Sequence, residues 1–336
     1  MTVRVRIRGL AFIILLFSVL GSSRPGPILD VDELTKKADL IVVGQVTSVR
    51  EIGKEVLQTE NERVPVRIML GELRVDRVLK GTSDPPSLRF RFLLPEIFIG
   101  CSGVDPLSYR LFFLKVSAGE LEFFSPYYPS LVAVPGVPVE GSSAVERVVG
   151  QLGAVLLSPI TSTGQKQEAI YPLSRTKSPA ATEVLRSGLR EKDVIVQLSV
   201  TAALLERNEI SGLHIAEKAL LNPRPGIPQY LLHNLSYGIS EGIKQEKAIP
   251  SLTRLLNATS PEVRRAAASA LRHTGSRSAI DPLLSALGDS DLEVRYYSVV
   301  GLAEITGQSE WRPNMDDFLS DQQRYLNHWK DWARNR

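Results

Sequence analysis

Between Ile249 and Leu302 one pattern occurs twice at a fixed offset: Ile249, Leu252, Leu256, Glu262, Val263, Arg264 and Leu271 return 31 positions later as Ile280, Leu283, Leu287, Glu293, Val294, Arg295 and Leu302. Each copy reads as a short apolar helix, Ala248–Leu256 or Ala279–Leu287, then a polar turn and a second helix. The second helix opens on Ser260-Pro261-Glu262 or Asp291-Leu292-Glu293, a capping residue followed by an acid where the helix dipole favours one. One helix pair cannot bury its own apolar stripe. A fixed period of this length therefore predicts stacked units that bury each other, an α-solenoid.

Fainter copies lie upstream, Thr182–Leu189 with Val196–Leu204, then Ile215–Leu221 with Tyr230–Ile239. Val196, Ala203 and Leu204 stand where Val263, Ala270 and Leu271 stand in the clear copy, so the array is expected to hold about four units. The stripe Val145, Val148, Val149, Leu152, Val155 and Leu156 is expected to open it, giving a solenoid over residues 142–307. After Gly307 come Trp311, Phe318, Tyr325, Leu326, Trp329 and Trp332, and residues 308–336 are predicted to cap the array.

The first half has another period. From Asp39 to Val134, short β-branched and alternating runs such as Leu88–Leu94 are divided by turns at Lys80–Pro86, Gly100–Gly103 and Ser117–Glu120. Residues 24–141 are thus expected to form an antiparallel β-barrel or sandwich, and the whole chain to be a multidomain α+β protein. Pro126, Pro129, Pro135, Gly136, Pro138 and Gly141 mark the boundary.

Arg4, Arg6 and Arg8 precede an uncharged run, Gly9–Ser23, whose apolar heart Leu10–Leu20 is short for a bilayer. Residues 1–23 read as a signal peptide, which predicts an exported protein, periplasmic or extracellular, with no stable membrane span after cleavage. An uncleaved anchor is the alternative. Cleavage would remove three of the 40 basic residues and no acid, leaving 37 of each sign. So neutral a product lacks the concentrated basic face that nucleic-acid binding requires.

The chemistry-bearing residues are sparse. His214, His233, His273 and His328 lack metal-ligand spacing. Asp289, Asp291 and Glu293 open like a calcium loop, but Val294 and Val300 occupy its glycine and glutamate positions, so they are expected to cap a helix. Cys101 lies in a Gly-Ser turn with nothing to favour its thiolate. Asn234-Leu235-Ser236 and Asn257-Ala258-Thr259 fit a glycosylation sequon too short to carry weight. The expected sets of catalytic, metal and cofactor residues are empty.

Pro261–Leu271 resembles the second helix of a HEAT repeat, in the short bacterial form also found in phycobilin-lyase-like proteins. The resemblance spans about residues 165–306 and is specific over 248–306. It implies protein–protein interaction without implying lyase chemistry. In such arrays the second helices line the concave surface, which makes Arg265, Arg272 and Tyr296 the candidate partner-binding residues, while Arg264 and Arg295 are expected to pair with turn acids between repeats. In the first half, Ala38–Val46, Val78–Gly81 and Tyr109–Lys115 resemble the oligonucleotide/oligosaccharide-binding (OB) barrel of netrin-like and protease-inhibitor domains, without the N-terminal cysteine those inhibitors use. The expected role is a non-catalytic scaffold for a protein or peptide of the cell envelope. The alternatives are an enzyme or lyase-like protein holding a small molecule or chromophore, and a glycan- or protease-binding barrel.

Overall fold

The computed structural model describes residues 30–58, 63–83, 86–95, 104–124 and 130–336. The signal-like residues 1–23 and Cys101 lie outside the described residues. Two compact units result, residues 1–158 with 175–178 and residues 159–174 with 179–336.

The first unit opens with α1 (Val31–Lys37), capped by the Asp30 carboxylate on the Glu33 N–H. Its carbonyl end is closed by Lys80, whose Nζ donates to the carbonyls of Thr35, Lys36 and Ala38 at 2.9, 2.8 and 2.6 Å. A cation at a helix C-terminus satisfies orphan carbonyls and complements the dipole. The next residue, Gly81, turns with φ +80°, and a Cβ there would lie 2.7 Å from the Asp39 carbonyl. The Lys80-Gly81 pair therefore latches the end of one strand to the start of another.

Six strands follow: β1 (Leu40–Gln58), β2 (Arg63–Lys80), β3 (Ser87–Pro95), β4 (Tyr109–Ser117), β5 (Glu120–Phe123) and β6 (Ser130–Val132). Pairing passes from β1 through β2, β3, β5 and β4, and β4 pairs again with β1. The link between β3 and β5 is parallel and only two residue pairs long, Phe90 with Leu121 and Arg91 with Glu122. With β6 added to β4, the sheet is a ring with one thin seam and an extra strand, not a clean barrel. One face packs Phe92, Phe112 and Phe123 around Phe90, at centroid distances of 5.9, 5.5 and 5.0 Å. Phe90 lies directly over Gly71, where a Cβ would overlap the ring. Leu111, Phe112, Phe113 and Leu114 are consecutive and all fully buried, so both faces of β4 are covered.

Helix α2 (Ala144–Leu157) begins with a capping box formed by Ser143 and Glu146. Arg147 reaches the Leu79 carbonyl and Gln151 the Pro138 carbonyl, each at 3.1 Å. The sequence reads this helix as the opening of the solenoid, with a boundary at 141/142, whereas the sheet's compact unit runs through Ser158 and includes it. Its apolar stripe has a helical period, and a period alone does not name the neighbour it packs on.

The second unit is a run of helices: α3 (Thr163–Arg175), then the pairs α4 (Pro179–Gly188) and α5 (Val194–Glu206), α6 (Leu213–Leu221) and α7 (Gln229–Gly242), α8 (Ile249–Leu255) and α9 (Pro261–His273), and α10 (Ile280–Ala286) and α11 (Leu292–Thr306). A last pair, α12 (Met315–Ser320) and α13 (Gln322–Arg334), carries the aromatic tail. A 3₁₀ turn leads into α6, α8 and α10 at Ile210–Gly212, Glu246–Ala248 and Arg277–Ala279, and another at Ser309–Trp311 precedes α12. The tail thus repeats the plan of the units before it.

Register explains why the pairs stack. Counted from the caps Asp193, Pro228, Ser260 and Asp291, the third position is Val196, Leu231, Val263 or Val294 and the eleventh is Leu204, Ile239, Leu271 or Leu302, all buried. The tenth is small throughout, Ala203, Gly238, Ala270 and Gly301. Small residues there let neighbouring second helices approach. A Cβ on Gly301 would lie 2.9 Å from Leu283 and 3.0 Å from Arg272, one on Gly238 would lie 3.1 Å from the Ala202 carbonyl, and one a turn further on, at Gly242, would overlap the Leu205 carbonyl. The resulting core runs without a break from Leu198 to Trp329.

Candidate functional site

Two sets of side chains tie successive second helices together. The first starts four residues after each cap. Arg264 grips the Asp289 carboxylate at 2.7 and 2.9 Å and the Ala258 carbonyl at 3.0 Å. One unit later Arg295 repeats the gesture, bonding the Asp289 carbonyl at 2.7 Å and Gln322 at 2.9 Å. Arg264 pairs with a turn acid as expected, whereas Arg295 takes the amide of Gln322 in place of one. The array also contains an earlier rung: Lys166, four residues after Ser162, meets Glu191 at 2.6 Å with both side chains largely buried. Helix α3 therefore joins the array as a lone second helix. No identity at the 31-residue offset marked it, because lysine and glutamate replace arginine and aspartate.

The second set crosses the proposed partner-binding face. His233 Nδ1 lies 2.6 Å from Glu262, and one unit later Arg265 lies 3.1 Å from Glu293. Arg265 is also bidentate to Asp291, at 2.9 and 2.7 Å. That ion pair, with two backbone N–H groups of α11, holds the Asp291 carboxyl down to about 2. Arg272 is bidentate to Glu304 at 2.5 and 2.9 Å, and Arg312 joins the same carboxylate at 2.7 Å. Tyr296 packs its ring on Phe318 of the terminal pair, 5.6 Å between centroids. All three candidates thus lie on the second-helix side and make contacts between units. Tyr297 beside them senses Arg272, Glu293 and Glu241, and its hydroxyl is pushed up by burial first and then by those carboxylates.

The most exposed aromatic side chains of this face are on α7, where sequence singled out no partner-binding residue. Tyr230 and Tyr237 are 50% and 51% exposed and lie two turns apart on one side of the helix. His233 and Asn234 between them are exposed, as is Glu241 one turn on. The Tyr230 hydroxyl accepts from Gln167 at 3.0 Å, and Gln167 also donates to Ser199 at 3.1 Å, which joins α3, α5 and α7 across the face. The available signal was tyrosine at i and i+7 in a helix whose other side is apolar.

Other candidates resolve into structure. Asp289 serves Arg264, and Asp291 caps α11 through the Glu293 and Val294 N–H groups. No group of three potential metal-ligating side chains occurs among the described residues. His273 meets the Ser240 carbonyl at 3.1 Å, and His328 stacks on Trp311 at 3.6 Å, where burial lowers its pKa. In the first unit an open groove of about 750 Å³ runs beside the β3–β5 seam, lined by Ile52, Leu70, Leu88, Arg89, Arg91 and Glu120. Its arginines are engaged, Arg89 with Glu72 at 3.0 Å and Arg91 with Glu120 at 2.6 Å. No described helix is long and apolar enough to cross a membrane.

No curated protein matches the chain. An engineered protein of known crystal structure is 21% identical with a TM-score of 0.36, over 48% of this chain and 81% of its own. A family model of HEAT repeats matches residues 230–303 and 249–326, so the C-terminal helical region carries HEAT-like repeats, a repeat type that generally mediates protein–protein interaction.

Proposed function

We propose that this is an exported, non-catalytic interaction protein that binds a protein or peptide of the cell envelope on the second-helix face of its HEAT-like array. The observation that carries the reading is the pair Tyr230 and Tyr237, half exposed on one side of α7 while Leu231, Leu235 and Ile239 bury the other. Tyrosine offers much contact area for little conformational entropy, which is why it anchors interfaces. Arg265 and Arg272 tie α9 to α11, and Tyr296 ties α11 to α12, in the units that follow the stripe. Export is supported by the basic start and short apolar run of residues 4–20, and the absence of a nucleic-acid role by the balanced charge. The OB-like identity of the first unit is supported by the return of pairing from β4 to β1 and the parallel β3–β5 contact.

Site-specific photo-crosslinking tests the reading. A crosslinker in place of Tyr237 should capture a partner in envelope fractions, and one at exposed Lys247 should not. Capture at Lys247 alone would move the site elsewhere. An alkaline phosphatase fusion after residue 30 should be active; an inactive fusion would refute export.

A further inference from the structure

Taking the array as a protein-binding surface, we propose that the α7 stripe receives a cationic segment of its partner, an extended stretch bearing arginine or lysine. The exposed tyrosine rings present π faces that attract guanidinium and ammonium groups. Gln167 holds the Tyr230 hydroxyl, so that ring is fixed before a partner arrives. Glu241 is exposed one turn beyond Tyr237, and its carboxylate accepts from the Ser240 hydroxyl at 3.1 Å. Glu262 is met by the imidazole of His233. The arginines of the same face are already committed: Arg265 spans Asp291 and Glu293, and Arg272 and Arg312 share Glu304. Glu241, one turn from the Tyr237 ring, therefore remains for a cation from outside. An acidic segment would be repelled by Glu241, and an apolar helix would strip water from it without pairing it.

The test uses the whole protein and a fluorescent Gly/Ser peptide with arginine at every third position, beside versions carrying glutamate or glutamine. The arginine peptide should bind at least about tenfold more tightly than either of the others, and its affinity should fall as salt rises. Tyr237→Ala and Glu241→Gln should each weaken it by roughly three- to tenfold while the thermal midpoint stays unchanged. Equal binding of the three peptides overturns the inference, as does a folded variant of either kind that binds like wild type. Mapping the segment captured at position 237 separates the two readings. A lysine- or arginine-bearing segment supports both, an acidic or apolar one sinks the cationic inference alone, and no capture sinks the protein-binding reading itself.

Discussion

Lys80 and Asp291 show how much one ionised side chain does in this molecule. Lys80→Met keeps the stem and removes three bonds to carbonyls, so urea unfolding of the first unit should shift by about 2 kcal/mol. Asp291 is depressed in the folded state, from an ordinary 3.8 to about 2. Its contribution is therefore complete above pH 4 and lost as pH falls through 3.8 toward 2, about 2 kcal/mol in all. Denaturant midpoints taken from pH 6 to pH 2 should show that loss in the wild type and much less of it in Asp291→Asn, which keeps a capping side chain. A parallel decline in both proteins would assign the acid sensitivity to other groups. At this scale the sequence was partly legible. Arg264 and Arg295 announced their role by recurring at one offset; Lys166 plays the same part in a degenerate unit, and no alignment of the chain on itself finds it. Tyr230 and Tyr237 stayed hidden because exposure depends on which flank of α7 meets its neighbours, and those contacts are distant in sequence.

Among the helices, spacing is set by what is missing from the side chains. Gly242→Ala would drive a methyl into the Leu205 carbonyl between α7 and α5, and Gly301→Ala would press on Leu283 and Arg272. Both changes raise helix propensity, so a net loss of roughly 1–3 kcal/mol would show that close packing outweighs it. Circular-dichroism melts of the two variants decide the matter; a raised midpoint would mean that the helices move apart freely. The strands show the complementary limit of reading from sequence. Their existence followed from alternation, but the pairing of β4 with both β1 and β5, and the two-residue contact of β5 with β3, join residues far apart in the chain. Helix α2 was recognised as a helix, but the compact unit it shares with the sheet follows from contacts distant in sequence.

For the second unit as a whole, stability is shared between neighbours and closed at the end by aromatic residues. Trp329 is fully buried at the close of the continuous core, and Trp329→Ala should cost roughly 3–5 kcal/mol, read as a fall in the urea midpoint of the last units with the early ones less affected. Uniform loss along the array would instead mean that it unfolds as one block.

The rungs also have a direction. Lys166, Arg264 and Arg295 all reach forward, to an acid or amide supplied by the unit that follows. A ribosome delivers the chain from its N-terminus, so each newly made unit holds out a cation whose counterpart has not yet been synthesised. The array is thus completed in order of emergence. Its last forward partner is Gln322, an uncharged amide, so the sequence of hand-overs ends without another acid having to arrive.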